Sequence, residues 1–260
     1  MLHQQRFTQQ KINERLKLIA PLVYRQQMAL RPFRYHPLPD ETIPPSIQPE
    51  FDDSAWPQIE PGSYWGEWQT NFVMRGQFQV PDAWRGQPVA LFLPLGDAGE
   101  FCHPEVLVYV DGRPFAACDR FHQEILLDAA WADGQPHALG LHGWTGRGVD
   151  PLAKLLMRPC LLVQIDQPTR DFVALARVAL EVVTQLEPTH PVHSQLLNAL
   201  DAGFKALNTQ EPLGDAFYVS VPEVTAVLRQ QIAQAGPPLD VTVTAAGHAH
   251  IDVAWLWTLT

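Results

Sequence analysis

The sequence predicts a mainly β protein with flanking helices: a jelly-roll-like β-sandwich in residues 51–166, helices on either side of it, and one further strand at the end. Two patterns carry the prediction. Between residues 64 and 165, short alternating or apolar runs are separated by turn signals roughly every eight to twelve residues, which is the spacing of a sandwich. Beyond Ile165 the apolar period changes from that of strands to that of helices and stays so until Gly236.

Taken in order, Ile12, Leu16, Ile19 and Val23 recur at helical spacing and predict one amphipathic helix over residues 8–29. Six prolines between Pro32 and Pro49 argue against both helix and regular sheet pairing, so residues 1–50 read as a helix and an extended connector laid over a neighbour. The sandwich strands are expected at 72–80, 88–95, 105–110, 124–127, 137–141 and 160–165. Asp111-Gly112 marks a hairpin turn, because such turns need positive φ and glycine supplies it freely. Three helices are then expected in the region 167–238. One carries Phe172, Leu175, Ala179, Val183 and Leu186, and a second carries Leu196, Leu200, Phe204 and Leu207. The third opens on the capping box Ser220/Glu223 and is ended by Gly236-Pro237-Pro238.

The most informative run comes last. Val241-Thr242-Val243-Thr244 leads into Gly247-His248-Ala249-His250-Ile251-Asp252-Val253-Ala254-Trp255-Leu256-Trp257, with the residue types of a strand. In a strand the apolar odd positions, Val241 through Val253, face one way and His248, His250 and Asp252 the other. Imidazole and carboxylate are zinc donors, and two ligands at i and i+2 on a strand can converge on one ion when other elements complete the set. Hydrogen-bonded histidines beneath a loop would give the same spacing.

Gly247 to Trp257 resembles the motif that opens the catalytic barrel of family 38 glycoside hydrolases, the zinc-dependent α-mannosidases, closest to their vacuolar and cytosolic-type branch. Tyr64-Trp65-Gly66-Glu67-Trp68, residues 106–113 and Asp119-Arg120-Phe121-His122 resemble parts of that family's N-terminal sandwich. The resemblance implies that His250 and Asp252 are ligands of a single zinc ion, that Trp255 lines the sugar subsite, and that residues 239–260 begin a β/α barrel. His248 corresponds to a position flanking the metal. No catalytic carboxylate is assigned within the chain: the resemblance puts the nucleophile and the remaining ligands beyond residue 260, so the chain is expected to be cut within the first barrel strand and to be inactive alone. The expected substrates are terminal α-mannosides, as in mannose oligosaccharides, hydrolysed with retention through a glycosyl-enzyme.

Two other readings stay open. A metal-dependent amidohydrolase also carries H-x-H at its first barrel strand, with His248 and His250 as ligands. In the second, the sandwich acts by itself in carbohydrate binding, with Trp65, Trp68 and Trp144 as an aromatic platform, although at least two of the three are expected in the core. His103, Glu105 and His122 could form a second metal site but lack close spacing, and Asp119 and His122 are expected to tie the sandwich to the rest of the enzyme.

A net charge of −10 argues against nucleic acid and anionic membranes as partners, both of which call for a basic footprint. Cys102, Cys118 and Cys160 are odd in number and lack C-x-x-C spacing, so neither a disulfide framework nor a thiolate metal site is indicated. The first residues contain no apolar run, and no stretch approaches the ~18 apolar residues of a membrane span, so a cytoplasmic protein is expected. An apolar strand left without neighbours is a template for association, which keeps a homo-oligomer open.

Overall fold

A computed structural model of the chain describes residues 7–96, 104–146, 152–211 and 214–247. Twelve strands and four α-helices are found there. The strands are β1 (Tyr24–Ala29), β2 (Phe33–Leu38), β3 (Gln58–Ile59), β4 (Tyr64–Trp65), β5 (Asn71–Gln79), β6 (Val89–Phe92), β7 (Glu105–Val110), β8 (Arg113–Cys118), β9 (Glu124–Leu126), β10 (Pro136–Trp144), β11 (Leu155–Leu156) and β12 (Leu161–Ile165). The helices are α1 (Thr8–Ile19), α2 (Gln167–Gln185), α3 (Pro191–Ala206) and α4 (Asp215–Ala235).

A four-stranded sheet in the order β1-β12-β6-β9 faces a six-stranded sheet in the order β3-β2-β5-β10-β7-β8, and β11 pairs with β4 at one side. Every pairing is antiparallel. The predicted sandwich plus helices is the observed architecture. Its core comes from alternate residues of the two sheets: Phe72, Met74 and Phe78 of β5, Val106, Val108 and Val110 of β7, and Leu139 and Leu141 of β10 meet Val89, Leu91 and Leu162. The β7–β8 turn is the two-residue hairpin the sequence announced, with Asp111 at φ 50° and Gly112 at φ 74°.

The N-terminal fifty residues differ from their reading. The helix stops at Ile19, a short 3-10 turn containing Pro21 follows, and residues 24–29 form edge strand β1 against β12. Val23 fits the helical stripe because it packs both into the helical core and against Val163 and Ile165 on the outer face of the four-stranded sheet. Residues 33–38 are a regular strand despite Pro37. Tyr35 N–H points to Pro57 O on the β3 side, and Pro37, two residues on, has the same orientation where β3 has already ended. Its missing N–H therefore costs no ladder bond. Only residues 39–57 behave as the expected overlay: Ile47 packs with Leu38 and Val73 on the outer face of the six-stranded sheet.

The helices pack around a second core that includes Ile12, Phe172, Leu200, Phe204, Phe217 and Val221. Asp166 caps α2, accepting from Thr169 N and Thr169 Oγ1. The third predicted helix begins five residues before its apparent capping box. Ser220 lies inside α4, its Oγ donating to Phe217 O and accepting from Asn208 N, because burial of Phe217 and Tyr218 holds the preceding turn. Gly236 at φ 76° ends α4 as predicted.

Beyond it, residues 239–247 have no helix or strand. Val241 and Val243, expected to pack inward from a strand, are 66% and 83% exposed. A strand needs a neighbour for its backbone groups, and no described strand runs beside this segment.

Candidate functional site

Of the predicted site, His248, His250, Asp252 and Trp255 all lie outside the described residues. The structure describes the segment that leads to them, through Gly247, and the sandwich and helices that precede it.

Within the sandwich, Asp119 and His122 do meet. The His122 imidazole Nδ1 sits 2.9 Å from Asp119 Oδ1, which also accepts the backbone N–H groups of Phe121 and His122. Burial acts to raise the Asp119 carboxyl, and the His122 ring and these two N–H groups outweigh it and hold it low. The pair closes a local turn, with the His122 side chain 75% exposed. Nothing here is arranged as a metal cage: among the described residues no group of three His, Cys, Asp or Glu side chains could hold an ion. His103 of the second suggested metal site lies outside the described residues.

The neighbouring Cys118 thiol is pushed up to about 12, first by burial and then by Asp119, and burial does the same to Cys160. Neither is a thiolate near neutral pH, which removes both as nucleophiles.

The three suggested platform tryptophans have different fates. Trp65 is 4% exposed, donates its indole N–H to Leu95 O at 2.9 Å, and meets Tyr35 and Phe72 edge-on. Trp144 is half-buried, and Trp68 is 38% exposed. One of the three, rather than two, is fully in the core, because Trp144 ends β10 at the margin of the sheet.

Sequence reading missed two polar clusters. Tyr24 Oη and Arg170 Nη2 both donate to Glu124 Oε2, at 2.7 and 2.6 Å, joining β1 and β9 to α2. Burial, reinforced by Glu124, raises the Tyr24 phenol. Elsewhere in the sandwich His137 lies between Asp111 and Asp133, the Asp residues of two Asp-Gly turns. Asp111-Gly112 was legible as a turn; the Asp133-Gly134 turn and the pairing of both with His137 were not.

No family model matches the chain, and no curated protein matches it. Solved structures do. A glycosyl hydrolase family 2 member from Bacteroides cellulosilyticus aligns at 14% identity and TM-score 0.39, over 55% of this chain and 21% of that one. A β-glucuronidase from glycoside hydrolase family 2 aligns at 11% identity and TM-score 0.38, over 53% and 17%. The Ruminococcus gnavus β-glucuronidase bound to D-glucuronic acid aligns at 12% identity and TM-score 0.36, over 54% and 29%. These neighbours are glycoside hydrolases, and this chain spans less than a third of the length of each. Likeness of this degree carries no inference about activity, so the functional reading rests on the sequence motif.

Proposed function

We propose that the chain is the N-terminal part of a retaining α-mannosidase of glycoside hydrolase family 38, hydrolysing terminal α-mannosides. The observation that supports this reading is Gly247 to Trp257, where His250, Asp252 and Trp255 stand in the order of that family's zinc and sugar-subsite residues. An N-terminal sandwich followed by helices that lead into the motif is consistent with it.

Imidazole and carboxylate are both fitting zinc donors, but a catalytic zinc takes about three protein ligands. His250 and Asp252 are two, and no described cluster supplies a set of its own. On this reading the remaining ligands and the nucleophilic carboxylate come from outside residues 1–260. A zinc ion held partly by His250 and Asp252 would supply Lewis-acid binding of sugar hydroxyls, which would favour a terminal sugar with an axial 2-hydroxyl. Trp255 lines the subsite for the ring. Attack by the external carboxylate forms a glycosyl-enzyme, which water resolves with retained configuration.

The amidohydrolase reading differs in its ligands. In full-length enzyme, His248→Ala should keep bound zinc and Asp252→Ala should lose it; the reverse pattern would favour the amidohydrolase. Proton NMR of a fresh aryl α-mannoside digest should show the α-anomer of mannose first, and initial release of the β-anomer would overturn the retaining mechanism.

A further inference from the structure

His137 is the second residue of β10, with its side chain 11% exposed and its ring stacked on Phe78. Its Nδ1 lies 2.7 Å from Asp111 Oδ2, in the β7–β8 turn, and its Nε2 lies 3.1 Å from Asp133 Oδ1, in the turn before β10. Both carboxylates are further fixed by backbone donors, Asp111 Oδ1 by Ala138 N and Asp133 Oδ1 by Gln135 N. Neutral imidazole has one N–H and one lone pair, and a lone pair facing a carboxylate is repelled. Only the doubly protonated ring can donate to both.

The remaining charged groups nearby do not compete for the ring. Behind Asp133, the Arg85 guanidinium donates to Asp133 O and to Asp82 Oδ1. Gly112, beside Asp111, lies against Gln48 and Pro49, which are uncharged.

We propose that His137 is a proton-operated latch: as imidazolium it holds the Asp111-Gly112 and Asp133-Gly134 turns together across the end of the sandwich, and on deprotonation it releases one of them. Burial of the ring favours its neutral form, and the bonds to Asp111 and Asp133 outweigh it, holding the pKa above the ordinary histidine value. Asp133 is correspondingly held low, by the Gln135 N–H and then by His137. The sign follows from linkage. A folded-state histidine pKa above the unfolded one gives stability that is fully present below the unfolded pKa and is lost as pH rises through the folded pKa.

The test is an NMR pH titration of the imidazole nitrogens in the 260-residue chain, with the His137 signals assigned by their absence in His137→Gln. His142, on the same strand, is an internal reference, because burial holds it below the ordinary value. His137 should titrate above free histidine with both nitrogens protonated at pH 6, and Asp133→Asn should move it down. Amide exchange at residues 111–112 and 133–135, corrected for intrinsic rates, should rise at least threefold across the same transition. A His137 that is neutral at pH 6, or exchange at both turns unchanged through its titration, would overturn the latch.

Discussion

Arg75 reaches from β5 across the outer face of the six-stranded sheet to Asp53, its Nε 2.8 Å from Oδ2, with only 7% of its side chain exposed. Its other nitrogens donate to the carbonyls of Ser46 and Phe51, so one guanidinium ties residues 46–53 to the sheet. Arg34 adds a second contact to Asp53 at 3.4 Å. This fork explains how a proline-rich segment with little secondary structure of its own is held in one place.

Arg75→Ala takes from Asp53 its closer cation, leaving it Arg34 at 3.4 Å, and takes from the Ser46 and Phe51 carbonyls their guanidinium donor. The expected loss is about 2–3 kcal/mol, the range for removing one side of a partly buried, hydrogen-bonded charge. Arg75→Lys should recover less than half, since an ammonium cannot reproduce the planar fork. Urea unfolding monitored by tryptophan fluorescence measures both, and a loss below 0.5 kcal/mol for the alanine variant would mean that the segment is held by Ile47 and Trp56 alone.

A Cβ at Gly143 of β10 would overlap Val106 and the Glu105 carbonyl, with Phe72 close behind. Gly143→Ala should therefore cost about 1–3 kcal/mol through overpacking and displaced pairing between β10 and β7. Gly247→Ala, where a Cβ meets nothing, should leave the unfolding midpoint unchanged. Equal midpoints for the two variants would contradict the described register.

Three phenols are held above the ordinary tyrosine value: Tyr24 and Tyr218 by burial and neighbouring carboxylates, and Tyr35, pushed up to about 12, by burial and Glu67. Raised folded pKa values give stability that is present below the unfolded pKa, near 10, and lost as pH rises through the folded values. Ultraviolet difference titration should show part of the tyrosinate signal delayed beyond pH 11 and advanced by urea. Tyr24→Phe should remove part of the alkaline loss of stability, and an unchanged alkaline limb would argue against the Tyr24–Glu124–Arg170 junction.

Where one face of an element is apolar and the other polar, its sequence was readable. β7 alternates Val106, Val108 and Val110 against Glu105, Leu107 and Tyr109, and α2 and α3 carry full apolar stripes. β1 was not readable, because its Arg25, Gln26 and Gln27 show no alternation: as an edge strand its order comes from pairing with β12. β2 was hidden by Pro37, whose tolerance depends on where β3 ends. The clusters around Glu124 and His137 are assembled from residues far apart in the chain, which local spacing does not reveal. The motif at His250 and Asp252 was read from residue order alone, and it lies outside the described residues.

The central claim is that His250 and Asp252 face a zinc site from one side of a strand. Zinc content and aryl α-mannoside turnover of full-length enzyme, compared between Asp252→Ala and Ala249→Ser, test it most directly. Asp252→Ala should lose the metal and roughly a hundredfold or more of turnover, while Ala249→Ser, on the opposite face, should keep both. Retention of zinc and turnover by Asp252→Ala, or equal loss in the two variants, would contradict the assignment.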